Sequence, residues 1–229
     1  MRMRKKKNGK KRIEALRHLL VDATVQNPLH PHDIFGNDRP CALEIGCGKG
    51  DFICGMAQKY PERNFIAVER VADVIITAME KVHAAQLENV RFYIGNAAYL
   101  CDLFAHHSFS EIYLNFSDPW PKAGHAKRRL THPLFIRQYR MLLKEGGDIA
   151  MKTDNDGLFA YSLEQFAACG YRCEQITDDL HRSPWQTDNV ETEYEKNFSA
   201  KGMPIHRLVA FVQSEEAEKA KRQNRENEN

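Results

Sequence analysis

The 229-residue chain lacks three features that would place it in a membrane or in an oxidising compartment. It has no run of about 18 consecutive apolar residues, which excludes an ordinary membrane-spanning helix. No apolar segment follows the basic residues 1–7, so we expect no secretory signal. None of the six cysteines belongs to a Cys-x-x-Cys pair, which argues against a disulfide framework or a zinc ribbon. We therefore expect a cytoplasmic protein whose cysteines serve as small apolar side chains.

The net positive charge is small, but the basic residues are concentrated in two segments. The formal net charge is only +2, yet residues 1–12 contain eight Lys or Arg and no acid. Residues 119–144 contain seven more and again no Asp or Glu. Two basic segments on an otherwise acidic chain suggest a polyanion that docks at a defined place. The alternative is a solvated tail and an ordinary basic helix.

Short apolar runs alternate with segments of helical periodicity through the middle of the chain. This pattern predicts an α/β fold with a doubly wound, mostly parallel seven-stranded sheet. The last run has no helical segment before it, which predicts an antiparallel last strand. The predicted strands are Cys41–Ile45, Phe65–Glu69, Val90–Ile94, Glu111–Phe116, Asp148–Lys152, Arg172–Thr177 and Arg207–Val212, and the predicted helices are 50–59, 71–86, 97–105, 132–143 and 156–169.

We divide the chain into three parts by composition. Residues 1–38 form a basic arm, expected to be disordered up to residue 12, then an amphipathic helix from Ile13 and a loop. Residues 39–213 form the α/β domain. Residues 214–229 form a charged tail.

A glycine-rich turn follows the first predicted strand. Glu44 precedes Gly46, Gly48 and Gly50, which gives Gly-x-Gly-x-Gly and not the Gly-x-Gly-x-x-Gly of nicotinamide folds. A carboxylate here suits a cofactor with a cationic amino group and no phosphate. Because ligands of open α/β sheets bind at the carboxyl ends of the strands, the next strand ends are further candidates.

Two of those strand ends carry suitable polar residues. Glu69 closes the second strand, where a carboxylate can accept ribose hydroxyls, and Asn96 follows the third, where an amide suits adenine. Asn96 could instead be a helix N-cap. Together with Glu44, Gly46 and Gly48, these residues favour S-adenosylmethionine as the cofactor.

The fourth strand ends in an acid followed by a stiff, basic loop. Asp118 precedes Pro119-Trp120-Pro121-Lys122, and His125, Lys127, Arg128 and Arg129 follow. The prolines restrict the turn after the acid, and the basic residues suit phosphate groups. Trp120 could stack on a base, but packing within the loop is the favoured interpretation.

This loop resembles the signature of the bacterial tRNA (guanine-N7-)-methyltransferases. Further matches follow in order, at Lys152-Thr-Asp154-Asn155 and at Thr192-Glu-Tyr-Glu195-Lys196-Asn-Phe198, so that the resemblance covers roughly residues 40–212. The chain departs from the common pattern at Ser117, where Pro is usual, and at Ala123-Gly124.

The resemblance implies a role for each matching residue. Asp118 would be tied most closely to catalysis and would also contact the cofactor. The implied substrate contacts are Lys122, Asp154, Thr192, Glu193, Tyr194 and Glu195, and the implied RNA contacts are Gly124, His125, Ala126, Lys127, Arg128 and Arg129. The implied target is a guanine of the tRNA variable loop.

The chemistry of guanine N7 agrees with this resemblance. N7 has a free lone pair and no proton, so the site needs positioning and electrostatic help but no base. Asp118, Asp154 and Glu195 are candidate acceptors for the N–H groups of guanine. Two alternatives stay open, an RNA methyltransferase with another target and an inactive RNA-binding module. We expect no metal, because His30 and His32 have no further clustered ligands, and either a monomer or a homodimer.

Overall fold

The computed structural model describes residues 6–24 and 28–213. Their strands form one seven-stranded sheet in the order β3-β2-β1-β4-β5-β7-β6. The first five strands are mutually parallel, and β7 is antiparallel to both β5 and β6. The strands are β1 Cys41–Ile45, β2 Asn64–Glu69, β3 Val90–Ile94, β4 Phe109–Asn115, β5 Leu143–Thr153, β6 Tyr171–Thr177 and β7 His206–Val212.

Helices cover both faces of this sheet, as the alternating sequence pattern predicts. Side chains of β1 alternate between the faces, so that Leu43 packs with one core cluster and Ala42 with the other. The helices are α1 Gly9–Ala15, α2 Pro31–Phe35, α3 Asp51–Lys59, α4 Ala72–Ala84, α5 Leu100–Leu103, α6 Pro133–Leu142, α7 Asp156–Ala168 and α8 Glu193–Ser199.

The strand order determines where a ligand can bind. It runs outward from β1 through β2 to β3 on one side, and from β4 to β5 on the other. The connections therefore diverge between β1 and β4, and a crevice opens beyond their carboxyl ends. The residues just after β1 and β4 begin the glycine turn and the acidic loop, so the topology brings these two motifs together.

The N-terminal arm is ordered earlier than its composition predicts. We expected disorder up to residue 12 and a helix from Ile13, but α1 already begins at Gly9 and ends at Ala15. Arg12 donates two hydrogen bonds to Glu80 of α4, at 2.7 and 2.6 Å. The backbone N–H of Lys6 donates to Asp73 at 3.1 Å. The prediction of disorder was wrong for residues 9–12, because acids on α4 pair with the basic arm. Residues 1–5 and the predicted tail 214–229 lie outside the described residues.

The last strand is antiparallel, as predicted, but the reason given for it was wrong. A short helix, α8, lies between β6 and β7, and its seven residues carry too few apolar positions to show helical periodicity. Thr192 and Glu195 instead form a capping box at its start. Across the described ranges, no helix is long and apolar enough to span a bilayer.

Candidate active site

Two adjoining lobes form a cleft at the carboxyl ends of β1 and β4. The larger lobe has a volume of about 720 Å³ and the smaller lobe about 360 Å³. Gly46, Asn115 and Phe116 line both lobes and mark their junction. A ligand that occupies both lobes must therefore pass over the glycine turn and the end of β4.

The glycine turn leaves open space in front of its backbone. Gly46 and Gly48 have φ angles of 84° and 56°, which side chains of L-residues rarely tolerate. A Cβ atom at either position would meet nothing within 4 Å, so both glycines face the cleft. The N–H groups of Gly46 and Cys47 donate to Val68 O, which holds the turn against β2. The turn can thus admit a ligand against its backbone.

Glu44 places a buried carboxyl group at the smaller lobe. Its side chain is 1% exposed, and its Oε1 accepts from Asn115 Nδ2 at 3.1 Å. Its Oε2 is buried and has no hydrogen-bond partner among the described residues. Burial raises the pKa of Glu44 to about 7, although Asn115 and the charge of Lys152 oppose this shift. An oxygen so placed lacks a donor, and a ligand ammonium group would supply one.

Glu69 and Asn96 line the larger lobe, as the strand-end argument predicts. Glu69 accepts from the N–H of Gly48 at 3.3 Å and from that of Val71 at 2.9 Å. These bonds orient the carboxylate and leave further lone pairs for hydroxyl donors. Asn96 caps the turn Ala97–Tyr99 through its Oδ1, 3.0 Å from Ala98 N. The capping alternative is therefore correct, and it coexists with a position on the cleft wall.

The loop after β4 places Asp118 on the wall of the larger lobe. Phe116 and Trp120, on either side of it, have positive φ angles of 51° and 42°. Arg129 holds the loop by donating to Pro119 O at 2.9 Å and to Trp120 O at 3.0 Å. Such backbone conformations are strained for residues other than glycine, so the loop depends on these contacts.

Trp120 packs within its own loop, which agrees with the favoured interpretation. The guanidinium of Arg128 lies 4.9 Å from the centre of its ring, and the ring of His125 meets it edge-on at 5.7 Å. Trp120, Lys127 and Arg128 also line the larger lobe. The Arg129 guanidinium binds two loop carbonyls and lies over the Tyr161 ring at 4.3 Å, so it acts first as a loop anchor.

The smaller lobe gathers residues from the other end of the sequence. Thr192, Glu193 and Tyr194 line it, although they lie about 150 residues after the glycine turn. Lys49 of that turn donates to Glu193 at 2.8 Å and joins the two walls. The Tyr194 ring lies 5.1 Å from the Phe116 ring and stacks on Phe198 at 4.3 Å.

Several expected contact residues lie elsewhere. Glu195 is 0% exposed and is engaged by Lys152 and Asn189, so the structure does not bring it to the cleft wall. Its expected contact with guanine is not supported, because its position in the capping box turns it into the protein. Asp154 is half-buried. Burial raises the pKa of Tyr194, and the negative charge of Asp154 raises it further. The remaining expected residues outside both lobes are Lys122, Gly124, His125, Ala126 and Arg129, which belong to the loop after β4.

Sequence reasoning missed Phe116 and Lys152 as site residues. Phe116 lies within the motif that resembles the family signature, but it has no ionisable group that would mark it as a site residue. No sequence pattern indicated its strained backbone conformation. From the sequence, Lys152 is predicted only as the last residue of a strand. Its partner in the ion pair, Glu195, lies 43 residues later, so the pair could not be predicted from local sequence. Asn115, which holds Glu44, was likewise visible only as the last residue of a strand.

Comparison with known proteins agrees with this geometry. Residues 38–208 match the family described as "Putative methyltransferase". A protein of Brevibacillus brevis named tRNA (guanine-N(7)-)-methyltransferase is 48% identical over 190 residues, which cover 81% of this chain and 89% of the relative. A protein of the same name from Listeria monocytogenes is 43% identical over 210 residues, covering 92% and 98%.

Solved structures share the fold at low sequence identity. A 16S rRNA methyltransferase, KamB, superposes with a TM-score of 0.60 at 13% identity and covers 83% of this chain and 97% of its own. An antibiotic-related methyltransferase gives 0.59 at 15% identity, covering 84% and 98%. These two show the class I methyltransferase fold, whereas the sequence relatives show the family. The chain belongs to the family of bacterial tRNA (guanine-N7-)-methyltransferases.

Proposed function

We propose that this protein transfers a methyl group from S-adenosylmethionine to N7 of a guanine in the variable loop of tRNA. The observation that carries the proposal is the buried, unpartnered oxygen of Glu44 beneath a cleft that ends at Asp118 and the basic loop. Family membership and the names of the relatives point to the same donor and acceptor. The proposed place of action is the cytoplasm, where bacterial tRNA is found.

The residues of the cleft fit the proposed cofactor. Glu44 would pair with its amino group, the open face of Gly46 and Gly48 would lie against it, and Glu69 would accept its ribose hydroxyls. Asn96 would face its adenine. When bound, S-adenosylmethionine supplies a methyl group on a cationic sulfur, which a neutral nucleophile can accept.

The protein's part in the reaction is positioning and electrostatics. Guanine N7 carries a lone pair and no proton, so no residue has to act as a base. Asp118, at the wall of the larger lobe, would accept guanine N–H groups and stabilise the positive charge that develops on the methylated base. Asp154, Thr192, Glu193 and Tyr194 would complete the acceptor side.

The basic loop would hold the RNA backbone beside this site. Lys127 and Arg128 are exposed and line the larger lobe, so both can reach phosphate groups near the target base. Lys122, Gly124, His125 and Ala126 lie on the same loop and would extend the contact outward. Arg129 would act mainly by keeping the loop in shape.

Analysis of the methylated nucleoside tests the proposal. Purified protein is incubated with methyl-labelled S-adenosylmethionine and an unmodified tRNA transcript, and the digested product is separated by chromatography with mass detection. We expect 7-methylguanosine from this transcript and none from a matched transcript whose variable-loop guanine is adenine. A different methylated nucleoside, or equal labelling of both transcripts, would reject the assignment. A protein that binds tRNA but transfers no methyl group would favour the inactive RNA-binding module.

A further inference from the structure

Lys152 is a buried cation whose ammonium group donates all three of its hydrogen bonds within the protein. It lies near the carboxyl end of β5 with 3% of its side chain exposed. Its ammonium group donates to Glu195 Oε2 at 2.6 Å, to Asn189 Oδ1 at 3.0 Å and to Val190 O at 2.9 Å. An ammonium group has three N–H donors, so these three acceptors satisfy it. The segment before α8 is thereby tied to the centre of the sheet.

Glu195 connects Lys152 to the first residues of α8. Its other oxygen accepts from Asn189 Nδ2 at 2.7 Å, and its backbone N–H donates to Thr192 Oγ1 at 2.9 Å. The N–H of Thr192 donates back to Glu195 at 3.4 Å. The orientation of Thr192 and Tyr194 at the smaller lobe is therefore set by a carboxylate that Lys152 holds.

The backbone of Lys152 holds the opposite aromatic residue. The N–H of Phe116 donates to Lys152 O at 2.8 Å, at the end of the parallel pairing between β4 and β5. This bond fixes Phe116 in its strained conformation, with φ 51°. Phe116 and Tyr194 then meet with ring centres 5.1 Å apart at the junction of the two lobes. One residue thus holds both members of the aromatic pair, Tyr194 through its side chain and Phe116 through its carbonyl.

Stability alone does not explain why this pair is ionic. Burying two charges costs desolvation, and apolar residues of similar size often give equal or greater stability at such positions. Burial lowers the pKa of Lys152, and the nearby Glu195 carboxylate opposes that shift. What an apolar pair would lack is direction, because it has no hydrogen bonds that fix one orientation of the segment 189–195.

We propose that Lys152 is a positioning residue that, through its ion pair with Glu195, fixes the Phe116–Tyr194 pair as the aromatic wall that orients the acceptor base. The substrate part of this inference rests on the proposed function. Tyr194 is 46% exposed at the cleft. One face of its ring stacks on Phe198, so a purine would pack against the part of the ring that Phe198 leaves exposed. Of the proposed cofactor contacts, Glu69 and Asn96 lie in the larger lobe away from Tyr194, whereas Glu44 lines the same lobe as Tyr194.

The test replaces the whole ion pair, since a single change would leave one buried charge without its partner. In Lys152→Met/Glu195→Leu we expect a folded protein with a modestly lower thermal midpoint, because Asn189 and Val190 lose hydrogen-bond partners. Affinity for S-adenosylhomocysteine should stay within about tenfold, since loss of the Lys152 charge raises the pKa of Glu44. Methyl transfer to tRNA should fall on the order of 100-fold, because a misplaced reactant loses about that factor. The matched control is Arg63→Met/Glu111→Leu, which removes another 2.6 Å ion pair near the amino-terminal ends of β2 and β4 and should keep near-normal transfer.

Coupling to Tyr194 separates positioning from a general structural effect. Tyr194→Leu should reduce transfer strongly in the wild type but by less than about threefold in the Lys152→Met/Glu195→Leu background. Equal effects of Tyr194→Leu in both backgrounds, or normal transfer by the double variant, would overturn the inference.

A measurement without substrate distinguishes this inference from the proposed function. Selective labelling of phenylalanine and tyrosine allows the contact between the Phe116 and Tyr194 rings to be followed by nuclear Overhauser effects. We expect the contact in the wild type and in the control variant, and its loss in Lys152→Met/Glu195→Leu. Persistence of the contact would refute the role of Lys152 even if the protein methylates tRNA. If the wild type does not methylate tRNA and the ring contact is still lost in Lys152→Met/Glu195→Leu, only the proposed function is rejected.

Discussion

The buried carboxyl of Glu44 predicts that cofactor affinity depends on pH in a defined direction. Its pKa is raised to about 7 because burial penalises the charged form. A ligand ammonium binds the ionised carboxylate, so binding below pH 7 must first remove a proton. Affinity should therefore increase as the pH rises toward 8 and then level off.

The size of the effect follows from the ionised fraction. With a pKa of about 7, roughly one Glu44 in eleven is ionised at about pH 6 and roughly ten in eleven at about pH 8. The dissociation constant of S-adenosylhomocysteine, which retains the amino group, should be about tenfold larger at the lower pH. Isothermal titration calorimetry at a series of pH values measures this, and proton release on binding should be greatest below pH 7.

Glu44→Gln provides the control, because the amide keeps the shape but does not titrate. This variant should bind more weakly at pH 8 and show little pH dependence between about pH 6 and 8. Neither lobe is lined by a histidine in the described part of the chain, so few other groups could mimic the effect. A flat wild-type profile, or the same slope in the variant, would refute the reasoning.

The unliganded protein should show the opposite trend in stability. A carboxyl whose folded-state pKa is raised binds its proton more tightly when folded, so its contribution is full below about pH 4.5 and is lost as the pH rises through about 7. The thermal midpoint of the wild type relative to Glu44→Gln should therefore fall over this range. Burial also raises the pKa of Asp148 to about 7. Its contribution to the pH dependence is the same in both proteins, so it cancels in the difference.

Three further predictions concern the acceptor side and the fold. Asp118→Ala should keep cofactor affinity within a few-fold while turnover collapses, and near-normal turnover would remove Asp118 from its proposed role. Lys127→Ala/Arg128→Ala should weaken tRNA binding and reduce the slope of log affinity against log salt by about 1 to 2, and an unchanged slope would exclude phosphate contacts. Gly50→Ala should lower stability by about 2–4 kcal/mol, because φ is 82° and the added Cβ would lie 2.4 Å from a side chain of α4. Gly124→Ala, where a Cβ meets nothing within 4 Å, should leave the thermal midpoint unchanged.

Two strands, β1 and β3, could be predicted closely from the sequence. Cys41–Ile45 and Val90–Ile94 agree with the structure at both ends, because each is a short run with apolar residues between polar turns. β5 is longer than predicted and begins at Leu143, since two charged residues and two glycines at 144–147 interrupt its apolar pattern. The start of α1 was predicted four residues too late and α8 was missed, because contacts from distant residues hold both helices and periodicity does not reveal such contacts.

The position of the candidate site could be predicted from the strand ends, but the directions in which its side chains point could not. Glu44, Glu69 and Asp118 line one cleft because carboxyl ends of parallel strands share an edge. The sequence pattern around Glu195 resembles a substrate contact, yet its carboxylate turns inward to Lys152. Which way a side chain faces depends on the partner it meets in the fold, and here that partner lies 43 residues earlier.

The antiparallel course of β7 has a practical consequence for immobilising the protein. His206 pairs with Thr153 at the cleft edge of the sheet, and Phe211 pairs with Asp148 toward the opposite edge. The chain therefore leaves β7 on the side away from the cleft, whereas Lys6 lies beside Asp73 in the first turn of α4, just after Glu69. A surface tether attached at residue 213 should therefore leave tRNA access free on a sensor surface, whereas one attached at Lys6 should crowd the cofactor mouth.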